Sequence, residues 1–192
     1  MQEKVRNLKS ELLCKSWSRF EKYTFEYLSG EGKWELQDRE VYDRGDGAVI
    51  LLFNREKQTV VLTSQFRLPT FLNGNRSGMM VEACAGAMED QDPLECVIRE
   101  AWEETGYKIS AAEKVFELYM SPGSVTEKLH FYIAECSDAM RTGTGGGLDS
   151  EQEYIEVLEL PLSRARDMLA SGEIKDAKTV ILIQHILLKE IW

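Results

Sequence analysis

The part of the sequence that most restricts the fold is Gly86–Tyr107, which predicts one helix with firmly marked ends. Asp92 suits the N-cap of this helix, Pro93 its first position, and Gly106 the position just past its last turn. The apolar segment Met79–Cys84 predicts a short strand that leads into it. A strand, a loop of small residues and a capped helix are therefore expected here.

Three glutamates share one face of this predicted helix. Glu100, Glu103 and Glu104 span roughly 100° of arc at 100° per residue. Like charges at i,i+4 destabilise an isolated helix by roughly 0.2–0.5 kcal/mol, so an exposed acidic face is one interpretation and a bound cation the other. Oxygen ligands alone favour a hard octahedral ion such as Mg²⁺, with Mn²⁺ as a possible substitute. The segment therefore predicts a metal site.

The remaining pattern predicts more strands than helices. Nine further segments carry strand or helix signals. The strands are Arg19–Leu28, Trp34–Tyr42, Ala48–Phe53, Thr59–Phe66, Val115–Met120, Lys128–Glu135 and Tyr154–Leu160, and the helices are Ser163–Ala170 and Lys178–Ile191. Because strands and helices do not alternate regularly, a mixed sheet between helices fits better than a doubly wound parallel sheet.

Charge and composition exclude several classes of partner. The net charge is −10 and no Lys/Arg-rich run occurs, which disfavours nucleic acid or an anionic membrane. No apolar run approaches 18 residues, so no membrane span is expected. Four scattered cysteines and two distant histidines predict free thiols in a reducing cytoplasm and argue against a zinc site.

Thr142–Glu153 breaks the regular pattern, because four of the five residues from Gly143 to Gly147 are glycine and acids follow. Such a tract predicts a mobile loop that packs no core. Two interpretations remain open, a lid that carries carboxylates to the metal site and a solvated acidic loop.

The second half of the helix segment, Arg99–Tyr107 (REAWEETGY), resembles the signature of the Nudix hydrolases position by position. The first half departs from the family pattern, because Gly86 lies one residue too close to Arg99 and Asp92 stands roughly where a glutamate belongs. The resemblance implies the Nudix fold, an α/β/α arrangement with a mixed β-sheet between helices, and cleavage of a diphosphate linkage.

Segments outside the signature resemble the nucleoside-diphosphate-sugar branch of that family. They are REVYDRG from Arg39, QFR from Gln65, EACAG from Glu82, LYMSPG from Leu118, and the later GGGL, IEVLELP and GEIKDAKTV. The last three imply a GDP-mannose substrate, giving GMP and mannose 1-phosphate. Pro122, sixteen residues after Gly106, is typical of ADP-ribose pyrophosphatases, so ADP-ribose or an ADP-sugar is the alternative substrate. A nucleotide-sugar sensor without turnover is the alternative from another class.

The resemblance also implies roles for particular residues in metal binding. Glu100 and Glu104 are the preferred metal ligands, and Glu103 is expected either to bind the metal as well or to support them. The backbone carbonyl of Ala85 is expected to be a further metal ligand. Arg99 is expected to orient the glutamate carboxylates.

The general base is expected on the acidic loop. Counting back two residues from the IEV strand gives Glu153, whereas counting forward from the glycines gives Glu151, and Glu153 is preferred. Either acid could also contact the metal.

The resemblance also implies substrate contacts for five side chains and for the backbone at Ala85 and Gly86. The five side chains are those of Trp17, Arg39, Arg67, Glu127 and Lys178. The resemblance finally implies a homodimer in which residues 1–45 form an N-terminal antiparallel β-strand extension and residues 46–192 form the Nudix domain. Whether the two subunits exchange these strands is left open.

Overall fold

The computed structural model describes residues 3–88, 91–148, 150 and 152–191. Its chain divides into two compact units. The first comprises Met1–Asp46 with Tyr119–Lys128, and the second comprises Gly47–Leu118 with Leu129–Trp192.

The first unit contains a three-stranded antiparallel sheet. Its strands, in spatial order, are β1 (Val5–Lys15), β2 (Arg19–Leu28) and β3 (Trp34–Asp43). The sequence predicted the β2–β3 hairpin but not β1. Strand β1 shifts register twice against β2, and Asn7 takes a positive φ of 55°. Such bulges break the alternation by which a strand is recognised.

The second unit contains a seven-stranded mixed sheet in which β10, β5, β4, β9 and β8 follow one another, while β6 pairs with β5 and β7 with β4. Strands β4 and β9 run parallel. The bounds are β4 (Gly47–Asn54), β5 (Thr59–Phe66), β6 (Met79–Glu82), β7 (Cys84–Ala87), β8 (Glu113–Tyr119), β9 (Lys128–Glu135) and β10 (Glu156–Pro161). The helices are α1 (Leu68–Leu72), α2 (Pro93–Thr105), α3 (Leu162–Ser171) and α4 (Ala177–Leu188).

Strand β4 lies at the centre of the core, and every one of its residues is buried. Ala48, Ile50 and Leu52 on one face pack in a cluster with apolar residues of α2. Helix α4 also packs against β4, and its Leu182, Ile183 and Ile186 are fully buried. A strand covered by apolar partners on both faces anchors the sheet.

The expectation of a mixed α/β fold with an N-terminal antiparallel sheet is confirmed. Two details differ from the sequence prediction. The strand expected over Met79–Cys84 is divided at Ala83 into β6, which pairs with β5, and β7, which pairs with β4. The short helix α1 follows Arg67 and was not expected. Within the described residues, no helix is long and apolar enough to cross a membrane.

Candidate active site

Helix α2 presents the predicted acidic residues at its C-terminal half. The Asp92 side chain accepts a hydrogen bond from the backbone N–H of Leu94 at 2.9 Å, and Gly106 ends the helix with φ 78°. This confirms both predicted ends. Glu104 is buried, with only 1% of its surface exposed, while Glu100 and Glu103 are partly buried.

Arg99 bridges two of the three glutamates. Its Nη2 lies 2.7 Å from Glu100 Oε1 and its Nη1 lies 2.7 Å from Glu103 Oε2. One guanidinium therefore offsets part of the like-charge repulsion and fixes the two carboxylates relative to each other. This contact geometry agrees with the orienting role expected for Arg99.

Burial and charge crowding act together on Glu100 and Glu104. Burial raises the pKa of Glu100 to about 7; the charges of Glu103 and Glu153 add to the rise, and Arg99 opposes it. Burial likewise raises the pKa of Glu104 to about 8, and the charges of Glu100 and Glu153 add to it. Both groups would be stabilised as carboxylates by a cation.

The donor set fits a hard divalent cation. Oε2 of Glu104 is buried and has no hydrogen-bond partner among the described residues. Gly86 lies opposite Ala48 in the β4–β7 ladder, and a Cβ built on Gly86 would overlap Oε1 of Glu100. The Glu100 carboxylate therefore lies directly against the Gly86 backbone. A buried carboxylate oxygen without a hydrogen-bond donor, such as Glu104 Oε2, is a group that an oxygen-binding cation would satisfy.

The side chains do not yet form a closed ligand cage. Within residues 3–88, 91–148, 150 and 152–191, no group of three or more His, Cys, Asp and Glu side chains is arranged to hold a metal. Arg99 accounts for part of this, because it engages the carboxylates of Glu100 and Glu103. Metal binding would therefore require the carboxylates of Glu100 and Glu103 to change their contacts with Arg99.

Glu153 lies close enough to Glu100 and Glu104 for its charge to raise the pKa of both. Its Oε2 accepts a hydrogen bond from the backbone N–H of Leu148 at 3.4 Å. The same side chain lines a cleft of about 760 Å³ together with the glycine tract and Tyr154. Glu153 is thus positioned beside both the acids and an open volume. The alternative base, Glu151, lies outside the described residues.

The glycine tract is a loop without regular secondary structure, as expected, and it also makes backbone contacts that the sequence did not predict. The backbone N–H groups of Gly146 and Gly147 donate to the carbonyls of Glu104 and Glu103 at 2.9 and 3.1 Å. Those carbonyls belong to the last turn of α2, whose carbonyl oxygens receive no hydrogen bond from N–H groups within the helix. The tract therefore caps the helix that carries the acidic residues.

Arg67 and Lys178, both expected to contact substrate, converge on a carboxylate that the sequence did not single out. Glu82 accepts from Arg67 Nε and Nη2 at 2.8 and 2.9 Å and from Lys178 Nζ at 2.7 Å. Lys178 Nζ also lies 2.8 Å from Asp176, whose side chain caps α4 by accepting from the Thr179 N–H. A buried acid at the end of β6 thus holds two cations in place.

Although burial works against ionisation of Glu82, the hydrogen bonds and charges of Arg67 and Lys178 hold its pKa below the ordinary value. The Glu82 side chain is only 4% exposed, whereas that of Arg67 is 40% exposed. Arg67 therefore keeps an accessible surface while its Nε and Nη2 are engaged. A local signal for Glu82 was its place at the end of an apolar strand.

Cys84 is a second residue that sequence reasoning missed. Its thiol is fully buried, and the charge of the Glu104 carboxylate acts on it. Burial first, and the neighbouring carboxylates next, raise the pKa of Cys84 well above its usual value. The thiol therefore stays protonated at neutral pH.

The remaining predicted substrate residues belong to the first unit. Trp17 is 74% exposed between β1 and β2, with the guanidinium of Arg44 5.7 Å from its ring centre. Glu127 pairs with the same Arg44 at 3.4 Å. Arg39 lies on β3 and contacts the Asp38 carbonyl and the Gln37 side chain. Their roles in substrate binding stay predictions.

These elements define the class of protein. The chain belongs to the Nudix family, since residues 43–180 match the NUDIX domain and the acidic helix lies within that range. The predicted Nudix hydrolase class is therefore confirmed. Residues 4–42 match a second family, described as the GDP-mannose pyrophosphatase NudK N-terminal domain.

Similar proteins carry a more particular name. GDP-mannose pyrophosphatase from Pectobacterium atrosepticum is 53% identical over 182 residues, 95% of this chain and 93% of the relative. The enzyme of that name from Klebsiella pneumoniae is 52% identical, covering 93% and 89% of the two chains. The one from Yersinia enterocolitica is 50% identical, covering 96% of each.

Proposed function

We propose that this protein hydrolyses the diphosphate linkage of GDP-mannose to give GMP and mannose 1-phosphate. The observation that carries the proposal is a sequence identity of about 50% to GDP-mannose pyrophosphatases over nearly their full length, including the N-terminal unit. Similarity over the first unit matters because the Nudix signature alone defines the chemistry and leaves the substrate open.

The bound metal is proposed to be Mg²⁺, with Mn²⁺ able to replace it. Nudix hydrolases generally use divalent metals, and the oxygen-only donors favour a hard ion. Glu100 and Glu104 would hold it, aided by Glu103 and the Ala85 carbonyl. When bound, such an ion offsets the diphosphate charge and lowers the pKa of a water molecule.

Glu153 is proposed as the general base. Its carboxylate takes a proton from the attacking water, whose oxygen forms a new bond to phosphorus as the bridging P–O bond breaks. The Leu148 N–H donates to one oxygen of this carboxylate, and the residue lines the cleft. Arg99 keeps the carboxylates of Glu100 and Glu103 in a fixed relation through its ion pairs.

Substrate binding is proposed to use Arg67 and Lys178 for the diphosphate or sugar, with the backbone at Ala85 and Gly86 beside them. The Glu82 carboxylate restrains both cations, so less rotamer freedom is lost when an anion binds. Trp17, Arg39 and Glu127 are also proposed to contact the nucleotide sugar.

A homodimer is also proposed, formed through the N-terminal extension of residues 1–45. Every residue of β1 is exposed, including Leu8, Leu12 and Leu13. An exposed edge strand with apolar side chains favours pairing with a second chain. Sedimentation equilibrium of the wild type should give twice the chain mass, and Leu8→Lys with Leu12→Lys should lower it towards one chain. A wild-type monomer at micromolar concentration contradicts this.

The three buried free thiols support a reducing compartment such as the cytoplasm.

The substrate is tested by phosphate release after coupling to a phosphatase, with GDP-mannose, ADP-ribose and ADP-glucose assayed in parallel. We expect GDP-mannose to give the highest kcat/KM. A kcat/KM for ADP-ribose about ten times that for GDP-mannose would overturn the substrate assignment. Binding of GDP-mannose without turnover in Mg²⁺ or Mn²⁺ would favour the sensor alternative.

The catalytic acids are tested by charge removal. Glu100→Gln and Glu104→Gln should each lower kcat by orders of magnitude with the fold intact, and full activity in both contradicts the metal assignment. Glu153→Gln and Glu151→Gln, measured side by side, separate the two candidate bases. The larger loss of kcat is expected for Glu153→Gln, by about 10²–10⁴-fold.

A further inference from the structure

The backbone of Gly145–Gly147 takes a conformation that only glycine adopts readily. Three consecutive residues have positive φ angles of 67°, 112° and 80°. Side-chain-bearing residues rarely occupy this region, and a run of three is confined to glycine. The tract therefore follows a path that other residues would not hold.

One edge of the tract lies directly on the end of α2. A Cβ built on Gly145 would fall 2.5 Å from the Glu104 carbonyl oxygen and 2.6 Å from the Thr105 carbonyl carbon. These neighbours are backbone atoms and cannot rotate away. Gly106, on the helix side, would likewise meet the carbonyl of Gly143 if it carried a side chain. Two backbones thus approach each other without any side chain between them.

Hydrogen bonds fix this approach in register. The Thr142 and Gly143 N–H groups donate to the Gly106 carbonyl at 2.9 and 3.1 Å. The N–H groups of Gly146 and Gly147 reach the carbonyls of Glu104 and Glu103, as described above. The tract is thus hydrogen-bonded to the backbone of Glu103 and Glu104, whose side chains are proposed to bind the metal.

The other edge of the tract meets Glu153. A Cβ built on Gly147 would fall 2.6 Å from Glu153 Oε2 and 2.7 Å from Glu153 Cβ. The next amide, that of Leu148, donates to the same carboxylate, and the Ile155 N–H donates to the Gly146 carbonyl at 3.1 Å. Residues 145–147 therefore lie between the acids of α2 and Glu153.

We propose that Gly145 and Gly147 are positioning residues, which set the separation between the general base Glu153 and the acidic end of α2. Gly145 permits the close approach to the Glu104 backbone, and Gly147 leaves room for the Glu153 side chain. This rests on the proposed role of Glu153 in the hydrolysis, and it assigns the glycine tract the function of a rigid spacer between base and metal-binding acids.

The test compares Gly145→Ala with Gly172→Ala. Gly172 ends α3 with φ 72°, close to the 67° of Gly145, but a Cβ there would meet nothing within 4 Å. Both variants thus carry similar backbone strain, and only the first disturbs the contact with α2. Gly145→Ala should lower kcat by about 100-fold with KM changed less than threefold, because small misplacements of reacting groups have effects of that size. Gly172→Ala should leave kcat unchanged at a temperature where both variants are folded. Its thermal unfolding should shift less than that of Gly145→Ala, because only Gly145→Ala adds an overlap with the α2 backbone to the shared backbone strain.

A readout independent of turnover separates the two edges of the tract. Mn²⁺ binding, followed by electron paramagnetic resonance, should weaken about tenfold in Gly145→Ala, because the Glu104 backbone moves. It should change less than twofold in Gly147→Ala, which displaces Glu153 and still loses about 100-fold in kcat.

Three results overturn the proposal while leaving the proposed function intact. They are a kcat within threefold of wild type in both Gly145→Ala and Gly147→Ala, equal losses of kcat in Gly145→Ala and Gly172→Ala, and unchanged Mn²⁺ binding in a folded Gly145→Ala. If Gly145→Ala does not fold, Gly147→Ala alone decides through its kcat. Full activity of Glu153→Gln would instead overturn the assignment of the base.

Discussion

Removing the charge of Glu82 should destabilise the fold far more than removing the charge of a comparable surface acid. The Glu82 side chain is 4% exposed and accepts three hydrogen bonds from two cations. In Glu82→Gln the shape is kept, but an amide donor group faces Arg67 and Lys178, whose charges lose their buried partner. Loss of one member of a buried ion pair typically costs about 3–5 kcal/mol. Because Arg67 is 40% exposed and its charge is partly screened by water, we expect the low end, about 3 kcal/mol.

Glu173→Gln is the matched control, because Glu173 also accepts a bidentate contact from an arginine. Arg164 Nη2 lies 3.0 and 2.8 Å from its two oxygens, but both side chains are about half exposed. An exposed pair contributes about 0–1 kcal/mol. Urea unfolding followed by circular dichroism and tryptophan fluorescence measures both variants, and coincident transitions license the free energies. Equal losses in Glu82→Gln and Glu173→Gln would refute the argument from burial.

The same substitution should show a defined dependence on pH. The folded pKa of Glu82 is lowered relative to the unfolded chain, where a glutamate has a pKa of about 4.3. Its ionised carboxylate therefore stabilises the fold above that value, and this contribution is lost as pH falls through the folded pKa. The stability difference between wild type and Glu82→Gln should be constant near neutral pH and shrink in acid. A difference that grows in acid contradicts the assignment.

Three further predictions follow from burial and close approach. Since the folded pKa of Glu104 is raised to about 8, the metal-free protein should lose stability as pH rises from about 4.3 to 8. Glu104→Gln should make the unfolding free energy depend less on pH in this range, and Mg²⁺ should offset the loss of stability in the wild type. An equal pH dependence of stability in wild type and Glu104→Gln contradicts this. Gly86→Ala, whose Cβ would overlap Glu100, should lower kcat about 100-fold. Gly30→Ala, with nothing within 4 Å of its Cβ, should leave kcat unchanged. Equal kcat values in the two variants contradict a role for the close approach of Glu100 to the Gly86 backbone. Cys84, Cys96 and Cys136 are buried, so a thiol reagent should label them only slowly in the folded protein. Fast labelling that persists in Cys14→Ser contradicts this.

The features that the sequence predicted well depend on neighbours along the chain. Asp92, Pro93 and Gly106 mark the ends of α2 through contacts within one turn, and the structure has both ends where they were expected. Strand β9 likewise has the predicted bounds, Lys128–Glu135, because Leu129–Ala134 is apolar apart from His130 and a charged residue stands at each end. The arc of glutamates on α2 follows from the helical period alone.

The features that were missed depend on residues far apart in sequence. Glu82 and Lys178 are separated by 96 positions, so no local pattern connects them. The glycine tract looked like a loop because its composition has no side chains to pack. Its partner is the backbone end of α2, and backbone-to-backbone packing leaves no hydrophobic signal in a sequence. Composition indicated the loop but not its hydrogen bonds to α2.

The parallel pairing of β4 with β9 has a consequence for how the chain folds. Gly47 lies opposite Leu129, roughly 80 residues later, so closing this pair costs far more loop entropy than closing the β4–β5 hairpin. During synthesis the β4–β5 hairpin leaves the ribosome well before β9, and β4 is apolar on both faces. Until residue 135 has emerged, the nascent chain carries an unpaired hydrophobic strand edge. That interval is when the growing polypeptide is most exposed to aggregation and most dependent on chaperones.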